Sequence, residues 1–574
     1  MRRKLNIILL TGIILLFASC SEEILDKQPP GSASGDVITS QRGIEALLIG
    51  AYNALYGTDI FGGSLSDWEW GEISSDNAYF GAAASFNVID SYNMLPTNSY
   101  PLHLWRSGYD GVARANDVLT FLQNAGEDLS ESRAREIEAE AKFLRAWHHF
   151  RLQRVFWQVP YIKTVQELGG VDPVTIPNDR LIWDDIKEDL QYCIDNLPEG
   201  HPRGEPGRPH KYAAMAVKAR VHLFAQEFSQ AKVLLDNIIN SGRFQLVDNY
   251  YDNFRETTEN NQESIFEVQC NISDATANNT MRVMGMSFHQ RGPASRGWGA
   301  YQPSQNLFEA FQVDNDGLPI LDVEDRVALS NDMGIFSDQE FVPTDHLLDP
   351  RVDWTIARRG IPFLDWGIHE GHNWIRSQND GGPYMTVKFH HYSANESTVA
   401  AQGGFKNSRN FRAYRYAHVL LWRAEVAVEE DDFETARTLV NMVRERAGNE
   451  VVMGRSNTYI FDNRPIEVDE DQPAANYSVG LYPEGAIAFS TKEEARKAVR
   501  HEIRVEFATE GHRFFDLRRW GIDGEVLNKY IAHDSEFRYF MRGITYDPEV
   551  HDYWPIPQGQ IDLQTGVIMQ DPNH

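Results

Sequence analysis

Apolar residues spaced three or four positions apart are the dominant pattern of the chain. The pattern runs through residues 44–56, and it recurs over 131–157 and 183–196. Such spacing places the apolar side chains on one face of an α-helix. Pro160 and Pro198 follow the second and third segments and are typical of helix ends. The chain is therefore predicted to be mostly helical.

Two widely separated helical segments repeat one another. Residues 212–239 align with residues 417–444, and each copy consists of a helix, a short polar turn and a second helix. The matched positions are Ala219 with Ala424, Phe228 with Phe433, Ala231 with Ala436, Leu234 with Leu439 and Ile238 with Val443. Small residues at a helix crossing, with an aromatic residue filling the gap, are typical of the tetratricopeptide repeat. Residues 139–157 match half of another copy. The simpler interpretation is two ordinary helical hairpins.

Between the two copies the composition changes. Residues 250–410 are rich in Gly, Asn, Asp, Pro and aromatic residues, with strand-like runs at 264–270 and 384–389. We expect this segment to form a loop-rich excursion mounted on the helical scaffold. Long segments without regular structure are usually functional or disordered, and the aromatic content favours an ordered one.

The first twenty residues have the features of a signal sequence. Arg2, Arg3 and Lys4 precede an apolar segment that is too short to span a membrane. The small pair Ala18-Ser19 leads directly to Cys20. This arrangement resembles a bacterial lipoprotein signal, in which the cysteine is lipidated and becomes the mature N-terminus. An ordinary secretory signal is the alternative.

The residues after the predicted signal peptide (1–19) have the composition of a tether. Residues 20–35 are rich in Pro, Gly and Ser, which is typical of a flexible linker. The acidic residues directly after Cys20 resemble the surface-export signal of Bacteroidetes lipoproteins. We therefore expect the protein to be held by its lipid at the outer membrane and exposed at the cell surface.

Overall charge limits the possible partners. The 574 residues include 54 Lys and Arg against 83 Asp and Glu, which gives a formal net charge of −29. Nucleic-acid backbones are bound by clustered basic residues, so no nucleic-acid partner is expected. The three cysteines, Cys20, Cys193 and Cys270, are too few for a four-thiolate zinc site or a disulfide-rich scaffold.

Residues 493–520 predict an amphipathic helix with charged edges, and Gly511 is suited to the end of that helix. Its apolar row consists of Ala495, Val499, Ile503 and Phe507. Arginines flank this row on one side and glutamates on the other. One interpretation gives Glu506 and Glu510 a catalytic acid–base role, and the other makes them ion-pair partners of nearby arginines. The matched charges favour ion pairing, with Arg500, Arg504, Arg513 or Arg518 as the expected partners.

The same segment carries a family resemblance. Residues 495–521 (ARKAVRHEIRVEFATEGHRFFDLRRWG) resemble the hallmark C-terminal motif of the SusD/RagB family of outer-membrane lipoproteins. Further family-like stretches occur in order: LIGAYNALY at 48–56, GEISSDNAYFG at 71–81, PSQNLFEAF at 303–311, DPRVDWTI at 349–356, RYAHVLLWRAE at 415–425 and YWPIPQGQID at 553–562. The resemblance covers nearly the whole mature chain.

The resemblance implies a fold and a function. The expected fold is mostly α, a tetratricopeptide-like helical scaffold with a large loop-rich insertion and minor β structure. The expected activity is binding, not catalysis. SusD-like members capture oligosaccharides or polysaccharides and deliver them to a SusC-like TonB-dependent transporter. A RagB-like role in peptide uptake is the alternative, and a surface glycoside hydrolase is a more distant one.

The predicted organisation is one integrated unit in several parts. The helical scaffold begins with residues 36–250, the excursion covers 251–410, and the scaffold is completed by 411–574. We expect the ligand to bind in the excursion, because that segment concentrates aromatic and polar residues.

Sugar rings present apolar faces edged with hydroxyl groups, so their sites combine accessible aromatic rings with polar side chains. Glycine-rich and polar stretches of the excursion contain Trp298, Tyr301, Trp366 and Trp374. A second loop, residues 68–93, adds candidates. The six predicted ligand-binding residues are Trp298, Tyr301, Trp366, Trp374, Asn77 and Tyr79. Family ligand residues vary with the substrate, so none is transferred from the resemblance.

The alternative interpretation of these aromatic residues is that their rings belong to the core. We favour the core for Trp354, and we leave both interpretations open for Trp68 and Trp70. For Trp366 and Trp374 the polar, glycine-rich setting gives the binding-site interpretation equal weight.

Other chemistry has weak support. His369 and His372 are three positions apart, which is not the spacing of a zinc-binding HExxH motif. The run Asp314-Asn315-Asp316-Gly317 lacks the glutamate that an EF-hand places at position twelve, so a turn is expected. No metal site and no cofactor are predicted.

Overall fold

The computed structural model describes residues 35–57, 67–271, 292–293, 298–401 and 406–574. The signal peptide and the lipidation site predicted at Cys20 lie outside these residues. In the described part of the chain, no helix combines the length and the apolar character that crossing a membrane requires.

Helices form most of the regular structure. The N-terminal part contains α1 (Gly35–Thr39), α2 (Gln41–Asn53), α3 (Ser99–Leu122), α4 (Glu131–Phe156), α5 (Trp183–Asn196), α6 (Lys211–Phe224) and α7 (Phe228–Asn240). The excursion contains α8 (Gln305–Ala310), α9 (Gln378–Gly381) and α10 (Glu396–Val399). The C-terminal part contains α11 (Tyr416–Glu429), α12 (Phe433–Ala447), α13 (Lys492–Phe507), α14 (Arg513–Arg519), α15 (Asp523–Asp534), α16 (Pro548–His551) and α17 (Gln558–Leu563).

Both copies of the repeat predicted from the sequence form the expected helix pairs. Its first copy forms the helix pair α6–α7, and its second copy forms α11–α12. The matched alanines at the crossings, Ala219 and Ala424, are completely buried. Although far apart in sequence, the two pairs are neighbours in space, because α7 packs against α11. α13 carries the first half of the hallmark motif, and we call it the hallmark helix. It packs on α11 and so belongs to the same scaffold.

Long helices approach closely where the sequence supplies glycine. A β-carbon at Gly111 of α3 would lie 2.2 Å from Nε2 of His148 in α4. One at Gly108 would lie 2.7 Å from the side chain of Leu152. The close contact between α3 and α4 therefore requires glycine, which has no side chain, at positions 108 and 111.

The helix predicted within 493–520 ends close to Gly511, as that glycine indicated, and a second helix follows. α13 ends at Phe507, and α14 begins at Arg513. Between them Thr509 and Gly511 adopt positive φ angles of 67° and 90°, which glycine tolerates and which end a helix. Glu510 therefore lies in the turn and not on the predicted row of glutamates.

The strands are short and pair antiparallel, and six of the ten in the described part of the chain lie in the excursion. The strands are β1 (Ala78–Gly81), β2 (Ser264–Val268), β3 (Ala300–Pro303), β4 (Ile356–Ala357), β5 (Met385–Thr386), β6 (Ala400–Ala401), β7 (Lys406–Asn407), β8 (Phe411–Arg415), β9 (Met453–Ser456) and β10 (Val468–Pro473). β1 pairs with β3, β2 with β8, β4 with β5, β6 with β7, and β9 with β10. The strand-like run at 264–270 forms β2, whereas only two residues of the run at 384–389 form a strand.

One large core joins the N-terminal and C-terminal parts of the scaffold. It includes residues from Ile44 to Ile568, and Trp68 and Trp70 are completely buried in it. A second buried cluster lies under the excursion and contains Trp354, as expected for a core residue.

Candidate functional site

The end of the β1–β3 pair presents an accessible tryptophan. Trp298 lies just before β3, and 37% of it is exposed. The register pairs Gly81 with Ala300, and the amide of Ala82 donates a 3.1 Å hydrogen bond to the carbonyl of Gly299. Arg376 donates from Nη1 to the Trp298 carbonyl at 2.9 Å, which fixes the backbone on the other side. The indole is therefore carried by a constrained backbone.

A tyrosine from the C-terminal part reaches the same region. Tyr539 is 49% exposed, and its hydroxyl donates to Oδ1 of Asp380 at 2.9 Å. Ser377 donates to the other oxygen of Asp380 at 2.7 Å, one residue beyond Arg376. We call the surface formed by Trp298, Arg376, Asp380 and Tyr539 the aromatic platform. It combines ring surface with a cation, a carboxylate and a phenol.

Tyr301, in the strand that follows Trp298, has an unusual backbone conformation. Tyr301 has a positive φ of 62°, which is uncommon for a residue with a large side chain. Its hydroxyl donates to Glu69 at 2.7 Å, and its ring packs edge-on against Trp68 at 5.2 Å. These contacts hold the strained residue in place. Such strain is often found where a surface is kept in a fixed geometry for binding.

Four of the six predicted ligand-binding residues lie on the β1–β3 pair or next to it, but only Trp298 is accessible. Tyr301, Tyr79 and Asn77 are buried, and each bonds to the protein interior. Asn77 donates to Glu72 at 2.9 Å and accepts from Arg504 at 2.9 Å. Tyr79 donates to Asp534 and stacks on Tyr530. Their side chains connect the strands to the hallmark helix and to α15.

The other two predicted residues belong to a separate buried cluster. Trp374 is 6% exposed and packs against Phe363 and His369, with ring centroids 6.0 and 4.9 Å away. Trp366 is partly buried at the edge of this cluster, and its Nε1 donates to the carbonyl of His391 at 2.8 Å. The structure therefore leaves Trp298 and part of Trp366 accessible to a ligand.

Glu506 and Glu510 lie in a buried charge cluster and not in an accessible cleft. The cluster contains five acids and five bases: Glu263, Asp349, Glu502, Glu506, Glu510, Arg351, Lys388, Arg415, Arg444 and Arg446. Arg415 bonds to Glu263 at 2.8 Å, to Glu506 at 2.5 Å and to Glu510 at 2.9 Å. The charges balance, which favours the ion-pairing interpretation.

The ion-pair partners predicted for these glutamates were wrong. Arg504 and Arg513 bind Asp76, at 3.0 and 2.8 Å. Arg500 lies over the ring of Trp520, and Arg518 donates to backbone carbonyls. The error arises because the glutamates face the interior of the scaffold, where bases from distant segments meet them.

Electrostatics within the cluster follow from this arrangement. Burial alone would raise the pKa of Glu506, but Arg446, Arg415 and Arg351 hold it well below its ordinary value. Burial lowers the pKa of Lys388 to about 8, although Glu510 opposes the shift. Glu506 is therefore ionised at neutral pH and is a poor general acid.

Asp90 is a buried carboxyl beneath the turn next to β1. Its Oδ1 accepts a 3.1 Å hydrogen bond from the amide of Phe80, and the described residues offer its Oδ2 no partner. Burial raises the pKa of Asp90 from 3.8 to about 8. Between about pH 4 and pH 8, Asp90 therefore keeps its proton in the folded protein and releases it in the unfolded chain.

We expect Asp90→Asn to stabilise the protein at high pH. The folded pKa lies above the unfolded one, so the parent loses stability as pH rises from about 4 to about 8. The amide cannot ionise, so the variant should gain at least about 1 kcal/mol over the parent between pH 5 and pH 8. Urea unfolding of both proteins across this range measures the difference. Asp462→Asn, a partly exposed surface control, should show no such rise, and a pH-independent difference for Asp90→Asn would contradict the assignment.

Asp380 and Tyr539 were not identified from the sequence. Tyr539 begins a short 3₁₀ turn after α15, where no periodic pattern distinguishes an exposed ring from a buried one. The only available signal was the polar run around Arg376, which includes Asp380. Among the described residues, no three His, Cys, Asp or Glu side chains are grouped so that they could hold a metal ion.

The described residues thus combine a helical scaffold with a small exposed aromatic and polar surface. The model of the SusD family matches residues 262–574, and a model described as "Starch-binding associating with outer membrane" matches residues 23–223. The chain belongs to the SusD family. Neither description names an enzyme activity.

Known proteins resemble the chain over almost its full length. SusD-like protein P25 of Formosa agariphila is 23% identical, covering 99% of this chain and 98% of its own. A SusD-like protein of Bacteroides fragilis has a TM-score of 0.69 at 22% identity, covering 94% of this chain and 99% of its own. Surface glycan-binding protein A of Bacteroides thetaiotaomicron, solved with laminarihexaose, has a TM-score of 0.67 at 20% identity, covering 93% and 100%. These structural likenesses establish the fold.

Proposed function

We propose that this chain is a lipid-anchored surface protein that captures oligosaccharides on the aromatic platform. The observation that carries the proposal is the exposure of Trp298 and Tyr539, which bond to the same short segment, residues 376–380. Aromatic rings stack on the apolar faces of sugar rings, while Arg376 and Asp380 supply a donor and an acceptor for hydroxyl groups. The complex of the structural relative with laminarihexaose supports an oligosaccharide as the ligand class.

Capture at the cell surface serves uptake when the ligand passes to a transporter. We propose that Cys20 carries the lipid and that the partner is a SusC-like TonB-dependent transporter. The proposal rests on the family membership and on the lipoprotein-like signal. Solubilised outer membranes should yield the chain in a complex with such a transporter, and recovery of the chain alone at every detergent concentration would count against delivery.

Substitutions on the platform should weaken binding without affecting folding. We expect Trp298→Ala and Tyr539→Ala each to raise the Kd for an oligosaccharide about tenfold or more, because each removes a stacking ring. Calorimetric titration with laminarihexaose, maltohexaose and a peptide library measures the effect. Trp157→Ala, a partly exposed tryptophan outside the platform, serves as the control.

The titration also separates the possible ligand classes. Saturable binding of an oligosaccharide that both platform variants weaken supports the proposal. Saturable peptide binding without any oligosaccharide response would replace it with a role in peptide uptake. Oligosaccharide binding that neither variant changes would place the site elsewhere.

A further inference from the structure

A cavity of about 640 Å³ lies beside the hallmark helix, apart from the aromatic platform. Its walls come from α13, from α15 and from residues 321–328. Two ion pairs hold residues 321–328 in position, Asp322 with Lys497 at 3.0 Å and Glu324 with Lys529 at 3.1 Å. Cavities of this size accommodate small organic ligands.

The residues that line the cavity include more basic than acidic side chains, unlike the chain as a whole. Seven Lys and Arg residues line it against six Asp and Glu residues, whereas the whole chain has 54 against 83. Most of these charges are paired. Asp76 binds Arg504 and Arg513, Lys529 also binds Glu525, and Arg496 binds Glu429 outside the cavity.

Arg500 has no acidic partner among the residues that the structure describes. Within the described part of the chain, its guanidinium makes no hydrogen bond or ion pair, and it lies 5.1 Å from the ring centroid of Trp520. The two acids that attract it most are already engaged: Glu425 binds Arg519, and Glu429 binds Arg496. Burial lowers the pKa of Arg500 to about 10, so the group stays charged at neutral pH.

Arg326 lines the same cavity, and Asp76, the acid that attracts it most, is already bound by Arg504 and Arg513. Arg326 donates from Nε to the carbonyl of Ile320 at 3.0 Å and from Nη2 to that of Leu321 at 3.4 Å. Its Nη1 is buried, and the described residues provide no acceptor for it. Burial lowers its pKa to about 10 as well. An unsatisfied buried donor on a cation is costly unless a ligand completes it.

Among the described residues, the two remaining carboxylates of the cavity, Glu309 and Glu493, make no ion pair with Arg326 or Arg500. Glu309 accepts hydrogen bonds from Gln305 at 2.8 Å and from the amide of Leu329 at 3.2 Å. Glu493 is exposed. Apolar side chains also line the cavity, so a ligand could bury a carbon framework there. They are Leu321, Val323, Ile522 and Val526.

We propose that this cavity binds an organic oxyanion, a carboxylate or a sulfate ester on a body of one or two rings. Arg326 and Arg500 hold the anionic group, and the apolar side chains contact the ring body. Guanidinium groups suit such oxyanions because their parallel N–H groups match two oxygens at once. The inference does not depend on oligosaccharide binding at the aromatic platform.

Titration of the full mature chain with defined anions tests the proposal. We expect saturable binding of glucuronate or glucose 6-sulfate, no binding of glucose, and weaker binding at higher salt concentration. Binding of glucuronate alone assigns a carboxylate, and binding of glucose 6-sulfate alone assigns a sulfate ester. Binding of neither anion would overturn the proposal, as would equal binding of glucose.

Variants of the two arginines locate the site. Arg326→Met and Arg500→Met should each weaken anion binding about ten- to a hundredfold, because a charge-assisted hydrogen bond is lost. Arg464→Met, an exposed arginine paired with Asp462, should bind as the parent does. A crystal soaked with the bound anion gives a second test that does not depend on how the variants fold. Unchanged affinity in both variants, or the anion found outside the cavity, would overturn the assignment. Laminarihexaose titrations of the same variants should match the parent, which keeps the two proposals separable.

Discussion

Replacing Arg415 with methionine should destabilise the protein by about 3–5 kcal/mol. The side chain is completely buried, and it bonds to three carboxylates, Glu263, Glu506 and Glu510. Removing one partner from a buried charge cluster leaves the others uncompensated in a poorly solvated environment. The midpoint of urea unfolding, followed by circular dichroism at neutral pH, measures the loss.

Two further comparisons make this prediction specific. Arg415→Met combined with Glu506→Gln should be less destabilising than the sum of the two single changes, because charge balance is restored. Arg464→Met should leave the midpoint unchanged, because its pair with Asp462 lies at the surface. Equal midpoints for Arg415→Met and this control would contradict the role given to the cluster.

The pH dependence of this difference has a defined sign. The folded pKa of Glu506 lies below its unfolded value, so its contribution is present above about pH 4 and is lost as pH falls. We therefore expect the difference between the parent and Arg415→Met to shrink in acid. A difference that grows as the pH falls would show that another group dominates.

Trp374→Ala should have a stability effect of similar size, about 3–5 kcal/mol. The ring fills a buried cluster against Phe363 and His369, and truncation of a buried tryptophan leaves a large cavity. Urea unfolding measures the loss. The contrasting change is Trp298→Ala, which should keep the midpoint of the parent, because that ring is partly exposed.

The pair of tryptophan variants also tests the interpretation made from the sequence. If Trp374→Ala unfolds like the parent but loses oligosaccharide binding, the ring acts in a ligand site, as its polar, glycine-rich sequence indicated. If it loses stability instead, the packing seen in the structure accounts for the ring. Parallel calorimetry on both variants separates the two results.

The scaffold could be predicted because its helices carry their own pattern. The repeat in α6–α7 and α11–α12 is visible from matched alanines and aromatics within each segment. Gly511 indicated the end of α13, but nothing in the sequence pattern indicated the positive φ of Thr509. Tertiary contacts decide such positions, and single-sequence periodicity does not report them.

The site was less predictable than the scaffold for a related reason. Asn77, Tyr79 and Tyr301 have the composition of a binding surface, but their polar atoms are satisfied inside the protein. Tyr301 and Glu69 are far apart in sequence, so their hydrogen bond could not be inferred from it. The aromatic platform combines Trp298 and Tyr539, which a long stretch of chain separates.

The pairing of β2 with β8 has a consequence for how such proteins diversify. Val268 lies opposite Phe411, so the chain leaves and re-enters the scaffold at adjacent strands, about 5 Å apart. Once the ends of a loop are fixed together, doubling its length costs only about 0.6 kcal/mol in closure entropy. The intervening segment can therefore change in length at small entropic cost. Its Asp349, Arg351 and Lys388 belong to the buried charge cluster, so a new specificity can arise in the loops between these positions while the helical framework is kept.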